Sequence, residues 1–195
     1  MLNNQDLEKI RALDGGPASR GFKTITLPLL FPVNDGGAGL RKALEDLQTQ
    51  ASEAMAEGHS LIILSDRGHD ERDAPIPALL GVSAVHHHLL REGTRTRVGL
   101  VVESGEPREV HHFCLLVAYG ASAVNPYLAF ETIHDQVKQG LIPGPAEKAE
   151  QKYIKAINKG GVKVISRSAS MSGRPSGVLT AFSAMMWPSS SSGPR

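Results

Sequence analysis

Four short apolar stretches of strand length alternate with longer amphipathic patterns in the middle of this sequence. The stretches are TITLPLLF from Thr24, SLIILS from Ser60, RVGLVVES from Arg97 and SAVN from Ser122. SLIILS is apolar without interruption, which is typical of a strand whose two faces are both covered. Strands that alternate with helices are joined by right-handed crossovers and form a parallel sheet. The sequence therefore predicts an α/β fold.

Helical patterns fill the intervals between these stretches. Within residues 40–55 apolar side chains recur at steps of three and four, which places them on one face of a helix. Further helices are predicted at about residues 75–92 and 107–119, and another from Pro126, where Asn125 is suited to cap it. A complete (β/α)8 barrel takes roughly 250 residues. Because only four strand-helix units are visible, we predict a partial (β/α) barrel-like parallel sheet with flanking helices.

Composition divides the chain into three parts. Residues 1–22 are predicted to be an N-terminal helical or linker segment, and residues 23–160 the α/β domain. A charged helical pattern ends at Gly160, after which residues 161–195 are rich in Ser, Gly and Pro and show no sustained period. We expect this last part to be disordered, or to be the product of a frameshift or a truncated gene model.

Charge and cysteine content disfavour several classes of function. The 21 Lys and Arg against 20 Asp and Glu leave a formal net charge of +1, so no overall field attracts nucleic acid or an anionic membrane. The single cysteine, Cys114, can form neither an internal disulfide nor an iron-sulfur cluster by itself. The N-terminus lacks a signal-peptide profile, and no apolar run approaches the roughly 20 residues that cross a bilayer. These features predict a cytoplasmic chain that binds neither nucleic acid nor membrane.

Two histidine clusters raise the question of a metal site. His86, His87 and His88 are consecutive in one predicted helix, and His111 and His112 lie in the next. Neighbouring helical residues point about 100° apart, so consecutive histidines cannot converge on one ion. We therefore predict no metal, catalytic or cofactor-binding residue in this chain. The alternative is a small metal-assisted hydrolase that combines histidines with Asp and Glu residues at the strand ends.

Polar residues follow the predicted strands, at the places where α/β proteins concentrate function. Asp66 and Arg67 come directly after the strand at residues 60–65, while Glu103 and Asn125 lie at the ends of the next two strands. We predict that Asp66, Arg67, Glu103 and Asn125 orient loops toward neighbouring domains.

The predicted helix at residues 107–119 is apolar nearly all round. Leu115, Leu116 and Tyr119 occupy the side opposite to its main apolar stripe. A helix that packs against only one layer would not carry large apolar residues on both sides. We therefore expect another domain or subunit to cover its outer side.

Six motifs between Leu61 and Glu131 resemble one known family. In order along the chain they are SDRG, APIPALL, SAVHHHL, RTRVGLVVESGEPREVHHF, AYGA and NPYLAFE. With these motifs the sequence resembles the central domain of the large subunit of glutamate synthase. The resemblance continues more loosely through LDGGPASRGFKTITLPLLFPV and YIKAINKGGVKVIS, and covers about four fifths of the chain.

The resemblance implies a barrel-related connector between a glutaminase domain and a flavin domain of one polypeptide. The whole enzyme of this family makes L-glutamate from glutamine and 2-oxoglutarate, and ammonia passes between its centres through an internal tunnel. FMN and an iron-sulfur cluster are implied for the flavin domain and not for this chain, and a small subunit or ferredoxin is implied as electron-donating partner. No catalytic residue of the family falls on a position of this sequence. We therefore expect a non-catalytic interdomain fragment.

Overall fold

The computed structural model describes the backbone of residues 1–172 and the side chains of residues 1–166. Its strands are β1 (Thr24–Pro28), β2 (Leu30–Pro32), β3 (Leu61–Ser65), β4 (Asp73–Pro75), β5 (Gly99–Glu103) and β6 (Ala123–Asn125). Its α-helices are α1 (Asn4–Arg11), α2 (Gly36–Ala56), α3 (Ala78–Arg91), α4 (Val110–Ala118), α5 (Tyr127–Lys138) and α6 (Ala146–Ser172). Three 3-10 turns lie at Pro17–Ser19, Val33–Asp35 and Arg95–Arg97.

The main sheet has four parallel strands in the order β1-β3-β5-β6, which is also their order along the chain. With right-handed crossovers, this order places α2, α3 and α4 on the same face of the sheet, as in a barrel wall. The prediction of a partial, barrel-like parallel sheet with flanking helices is confirmed. The stretch TITLPLLF forms two strands, because it breaks at the buried Leu29 and its second half pairs with β4 in a separate antiparallel ribbon.

Side chains alternate between the two faces of the sheet, as strand geometry requires. On the helical face, residues such as Ile62, Leu64 and Leu100 pack with α2, α3 and α4 in the main core. On the opposite face, Ile63 and Val101 pack with α1 in a second, smaller cluster. Helix α1 therefore covers the face that would look into the interior of a complete barrel.

The N-terminal segment crosses that inner face from one sheet edge to the other. At one edge, the Leu2 amide donates to the Val124 carbonyl at 2.9 Å. At the other edge, the Thr24 amide donates to the Leu13 carbonyl at 3.0 Å, next to an antiparallel bridge between Asp14 and Lys23. Residues 1–22, which the sequence separates as a helical or linker segment, are thus packed into the same unit as the sheet.

Helix α6 continues through the predicted boundary between residues 160 and 161, and it remains helical to Ser172. Gly160 lies inside the helix, where a Cβ atom would stand 2.5 Å from Val110 Cγ2 of α4. Beyond it, Ile165 is buried. The glycine therefore allows two helices to approach closely and does not end one, so the expectation of disorder from residue 161 is wrong for residues 161–172. The expectation for residues 173–195 lies outside the described residues.

Candidate functional site

Glu103 ends β5, and its carboxylate is buried at the carboxyl edge of the sheet with 2% of the side chain exposed. Arg67 Nε donates to its Oε1 at 2.7 Å, and Arg11 Nη2 donates to its Oε2 at 2.8 Å. The Ser65 hydroxyl also donates to Oε2, at 2.6 Å. Ser65 and Glu103 are register partners on neighbouring strands, so their side chains share a face. Glu103 thereby connects the N-terminal helix to the two central strands.

Two opposing effects act on the pKa of Glu103. Burial raises it, because the charged form loses its hydration. The hydrogen bonds from Ser65, Arg11 and Arg67 outweigh burial and hold the pKa below its ordinary value. Glu103 is therefore ionised at neutral pH and is a poor acceptor for a substrate proton.

Arg67 links the loop after β3 to α5. Its Nη1 donates to Glu131 Oε1 at 3.2 Å, and its guanidinium carbon lies 3.8 Å from the centroid of the Tyr127 ring. A guanidinium at this distance is attracted by the negative face of the ring. Since 42% of the Arg67 side chain remains exposed, the residue is both an anchor for Glu103 and part of the surface.

Asp66 is the second buried carboxylate of this edge, with 3% of the residue exposed. The Ser104 hydroxyl donates to Asp66 Oδ2 at 2.5 Å, and the Gly105 amide donates to the same oxygen at 3.1 Å. Burial raises the pKa of the Tyr127 hydroxyl, and the nearby Asp66 carboxylate raises it further. Asp66 therefore fixes the loop that follows β5.

Asn125 is fully buried at the end of β6 but does not cap α5. Its Nδ2 donates to the Leu2 carbonyl at 3.2 Å and to Asn4 Oδ1 at 2.9 Å. Helix α5 begins at Tyr127 without a side-chain cap. The predicted cap is therefore wrong: Nδ2 is held by the N-terminal segment, whose position the local sequence does not reveal, and the buried Oδ1, the atom that would accept from the helix, has no hydrogen-bond partner among the described residues.

A cavity of about 540 Å³ opens beside the Glu103 network, between α1 and the carboxyl ends of β1, β3 and β5. Its wall includes Asn4, Glu8, Arg11, Thr26, Arg67 and Glu103. Both arginines contribute partly exposed guanidinium groups, with 31% and 42% of their side chains accessible. The arrangement is a polar cleft at the edge where parallel α/β sheets bind ligands.

A family model described as "Glutamate synthase central domain" matches residues 1–171. The chain belongs to the glutamate synthase central domain family. Among relatives, the "Glutamate synthase [NADPH] large chain" of Bacillus subtilis (strain 168) is 52% identical over 128 residues, which are 66% of this chain and 8% of that protein. The "Glutamate synthase [NADH]" of Schizosaccharomyces pombe is 41% identical over 148 residues, 75% of this chain and 7% of that protein.

Relatives with ferredoxin in their names match as well. The "Ferredoxin-dependent glutamate synthase 2, chloroplastic" of Arabidopsis thaliana is 36% identical over 180 residues, 86% of this chain and 11% of that protein. This central domain therefore spans about a tenth of the length of the curated relatives it matches.

The strand-end residues of the central domain are engaged with one another. Ser65 and Ser104 each donate a hydroxyl hydrogen to a carboxylate, and those carboxylates are held by further donors. Each carboxylate thus accepts hydrogen bonds both from a serine hydroxyl and from other donors. The structure thus brings Asp66, Arg67 and Glu103 to one edge and places Asn125 beside them. Their role toward other domains stays a prediction.

The histidines of the central domain do not converge. His86 Nδ1 accepts a hydrogen bond from Arg95 Nε at 2.8 Å, whereas His88 Nε2 lies 2.8 Å from the Ser52 hydroxyl of α2. Within residues 1–172, no three His, Cys, Asp or Glu side chains come together in a group that could hold a metal ion. The alternative of a metal-assisted hydrolase has no support.

The cysteine content of the sequence does not fit an iron-sulfur cluster. A cluster is held by several thiolates, whereas burial raises the pKa of Cys114, the one cysteine of the sequence, and so disfavours its thiolate. In the described part of the chain, every helix is too short or too polar to span a bilayer.

Helix α4 is covered mainly from within the chain. Leu116 is buried in the main core, and α4 packs against both α3 and α6, with Gly160 of α6 next to Val110. Leu115 and Tyr119 remain 38% and 43% exposed. The expectation that a different domain covers the whole outer side is therefore wrong for Leu116, which this chain buries itself, and it stays a prediction for Leu115 and Tyr119.

Arg11 and Tyr127 are the site residues that sequence reasoning missed. Arg11 is separated from Glu103 by 92 positions, and nothing near either residue indicates the contact. A signal for Tyr127 was present, because it directly follows the strand end at Asn125 and begins a helix, as residues of α/β sites often do.

Proposed function

We propose that this central domain is a non-catalytic interdomain connector of a glutamate synthase whose whole enzyme makes L-glutamate from glutamine and 2-oxoglutarate. The observation that most strongly supports this proposal is the hydrogen-bond network around Glu103. Its charges are satisfied by Arg11 and Arg67, and it ties three separate elements into one body. Such a network orients structure and offers no reactive group. Family membership and the small share of each relative that the chain spans support a place within a larger polypeptide.

In this proposal the glutaminase and flavin domains are the partners, and they belong to the same polypeptide. FMN and the iron-sulfur cluster bind in the flavin domain, and a small subunit or ferredoxin supplies electrons there. The connector holds the two reaction centres in register and helps to enclose the route of ammonia between them. We place the protein in the cytoplasm, where a chain with one buried, unpaired cysteine remains reduced.

A chimera tests the connector role. The matched segment of the Bacillus subtilis large chain is replaced by the corresponding residues of this chain, and glutamine hydrolysis and glutamate formation are measured separately. We expect the chimera to form glutamate, and the 195-residue chain alone to catalyse neither reaction. Turnover of glutamine or 2-oxoglutarate by the chain alone would disprove the proposal.

A variant of the chimera separates positioning from chemistry. Glu103→Gln should lower the amount of glutamate formed per glutamine hydrolysed, because the connector loses rigidity while both reaction centres stay intact. Glu53→Gln makes the same charge change at an exposed position of α2 and should leave that ratio unchanged. Equal ratios in all three proteins, with Glu103→Gln shown to be destabilised, would contradict the positioning role.

A further inference from the structure

The cavity beside Glu103 has the dimensions of a ligand site. Its volume of about 540 Å³ lies within the range of about 300–1,000 Å³ that is usual for small-molecule pockets. It also lies at the carboxyl ends of parallel strands and on the face that a complete barrel would enclose.

The two arginines of its wall keep hydrogen-bond donors that the protein leaves unused. A guanidinium carries five N–H groups. Arg67 uses one of them for Glu103 and one for Glu131, and its Nη2 has no partner among the described residues. Arg11 bonds Glu8, Thr26 and Glu103, each through one N–H. Several N–H groups of two neighbouring cations therefore remain for a bound acceptor.

The carboxylates that pair with the two arginines differ in burial. Buried Glu103 neutralises one of the two guanidinium groups. The other acidic partners are Glu8, which lines the cavity, and Glu131, which pairs with Arg67; 66% and 52% of their side chains are exposed. Exposed pairs of this kind contribute only about 0–1 kcal/mol each, so a ligand can replace them at little cost.

We propose that the cavity binds a small carboxylate through the unused N–H groups of Arg11 and Arg67. Guanidinium groups bind carboxylates by paired, parallel hydrogen bonds, which gives both affinity and orientation. The site binds without reacting, and it goes beyond the connector role, since it requires no other domain.

Titration of the 195-residue chain with succinate tests the proposal. Binding is followed by calorimetry and by two-dimensional NMR at low ionic strength, with uncharged succinamide as the matched ligand control. We expect saturable binding of one succinate, with succinamide at least about tenfold weaker because it cannot supply the charge-assisted bonds.

Two substitutions should move the affinity in opposite directions. Glu8→Gln removes a negative charge and leaves a weaker, neutral acceptor for Arg11, so succinate should bind about threefold more tightly. Glu53→Gln carries the same charge change on the opposite side of the sheet and should have no effect. Arg67→Lys should weaken binding about tenfold, because a lysine lacks the planar fork of donors.

Misfolding cannot produce the higher succinate affinity expected for Glu8→Gln. The test therefore does not depend on whether Arg67→Lys is stable. Three results would overturn the proposal: no saturable succinate binding, equal affinity for succinate and succinamide, or an affinity that neither Glu8→Gln nor Arg67→Lys changes. None of these results bears on the connector role, which is measured by turnover in the chimera.

Discussion

Glu103→Gln is the substitution that most directly tests the strand-end network. It keeps the shape of the side chain but removes its charge and replaces one accepting oxygen by an NH2 group. Arg11 and Arg67 both donate to this side chain. In the variant, at least one guanidinium N–H therefore meets a donor where it had an acceptor.

The cost follows from the geometry of the wild-type side chain. Each hydrogen bond to a charged partner contributes about 1.5–3 kcal/mol, and Glu103 accepts two such bonds and one from Ser65. The amide oxygen of glutamine retains one of them, and water reaches the partly exposed arginines. We therefore expect a loss of about 3 kcal/mol in the free energy of unfolding. For a chain of this length, that loss lowers the Tm by about 6–12 °C.

Urea denaturation followed by circular dichroism measures this loss, with Glu53→Gln as the control of equal charge change. The pH dependence gives a second check. Because the folded-state pKa of Glu103 is lowered, its stabilisation is present above the unfolded pKa of about 4.3 and disappears as pH falls through the folded value. The difference between wild type and variant should therefore shrink in acid. The reasoning would be refuted if Glu103→Gln lowered the free energy of unfolding by less than about 1 kcal/mol at pH 7, or if the difference between the two proteins did not change with pH.

Three further substitutions test the packing. Gly160→Ala should cost about 1–3 kcal/mol in urea unfolding, because its Cβ would stand 2.5 Å from Val110 Cγ2; adding Val110→Ala should restore part of the loss. Leu7→Ala should cost about 2–4 kcal/mol if α1 belongs to the core, and almost nothing if it is a linker. Burial, Arg95 and His87 lower the pKa of His86, so the stability of the wild type should fall as pH drops below about 6.5. Over the same pH range, the urea midpoint of His86→Asn should fall less than that of the wild type.

Local pattern was sufficient to predict the sheet and part of the site. Uninterrupted apolar runs separated by amphipathic helices allow few arrangements other than a parallel sheet. Once the strands are parallel, the residues at their carboxyl ends must share an edge. Asp66, Arg67 and Glu103 meet there for this reason, and they could be named from the sequence.

Long-range contacts account for what the sequence did not reveal. Asn125 suits a helix cap by local rules, yet it caps nothing, and its Nδ2 bonds Leu2 and Asn4, more than 120 positions away. The pair at Gly160 and Gly161 indicates a helix end by local rules, yet α6 passes through it because α4 lies against Gly160. In both cases a tertiary neighbour overrides local propensity, and no nearby residue signals that neighbour.

The inner face of the sheet explains why the N-terminal segment is placed as it is. A singly wound half-barrel leaves one apolar face and two strand edges without partners, and open edges invite pairing with other chains. Here one segment of about 14 residues covers the face and both edges. Leu2 pairs with the edge at Val124, Leu7 packs on the face, and Leu13 pairs with the edge at Thr24. Because Arg11 of this segment also completes the Glu103 network, loosening the segment should open both edges and the carboxylate cleft in one step. Hydrogen exchange at the Leu2 amide, which donates to Val124, and at the Thr24 amide, which donates to Leu13, should therefore rise together in Leu7→Ala. An increase at one edge alone would show that the segment is not a single unit.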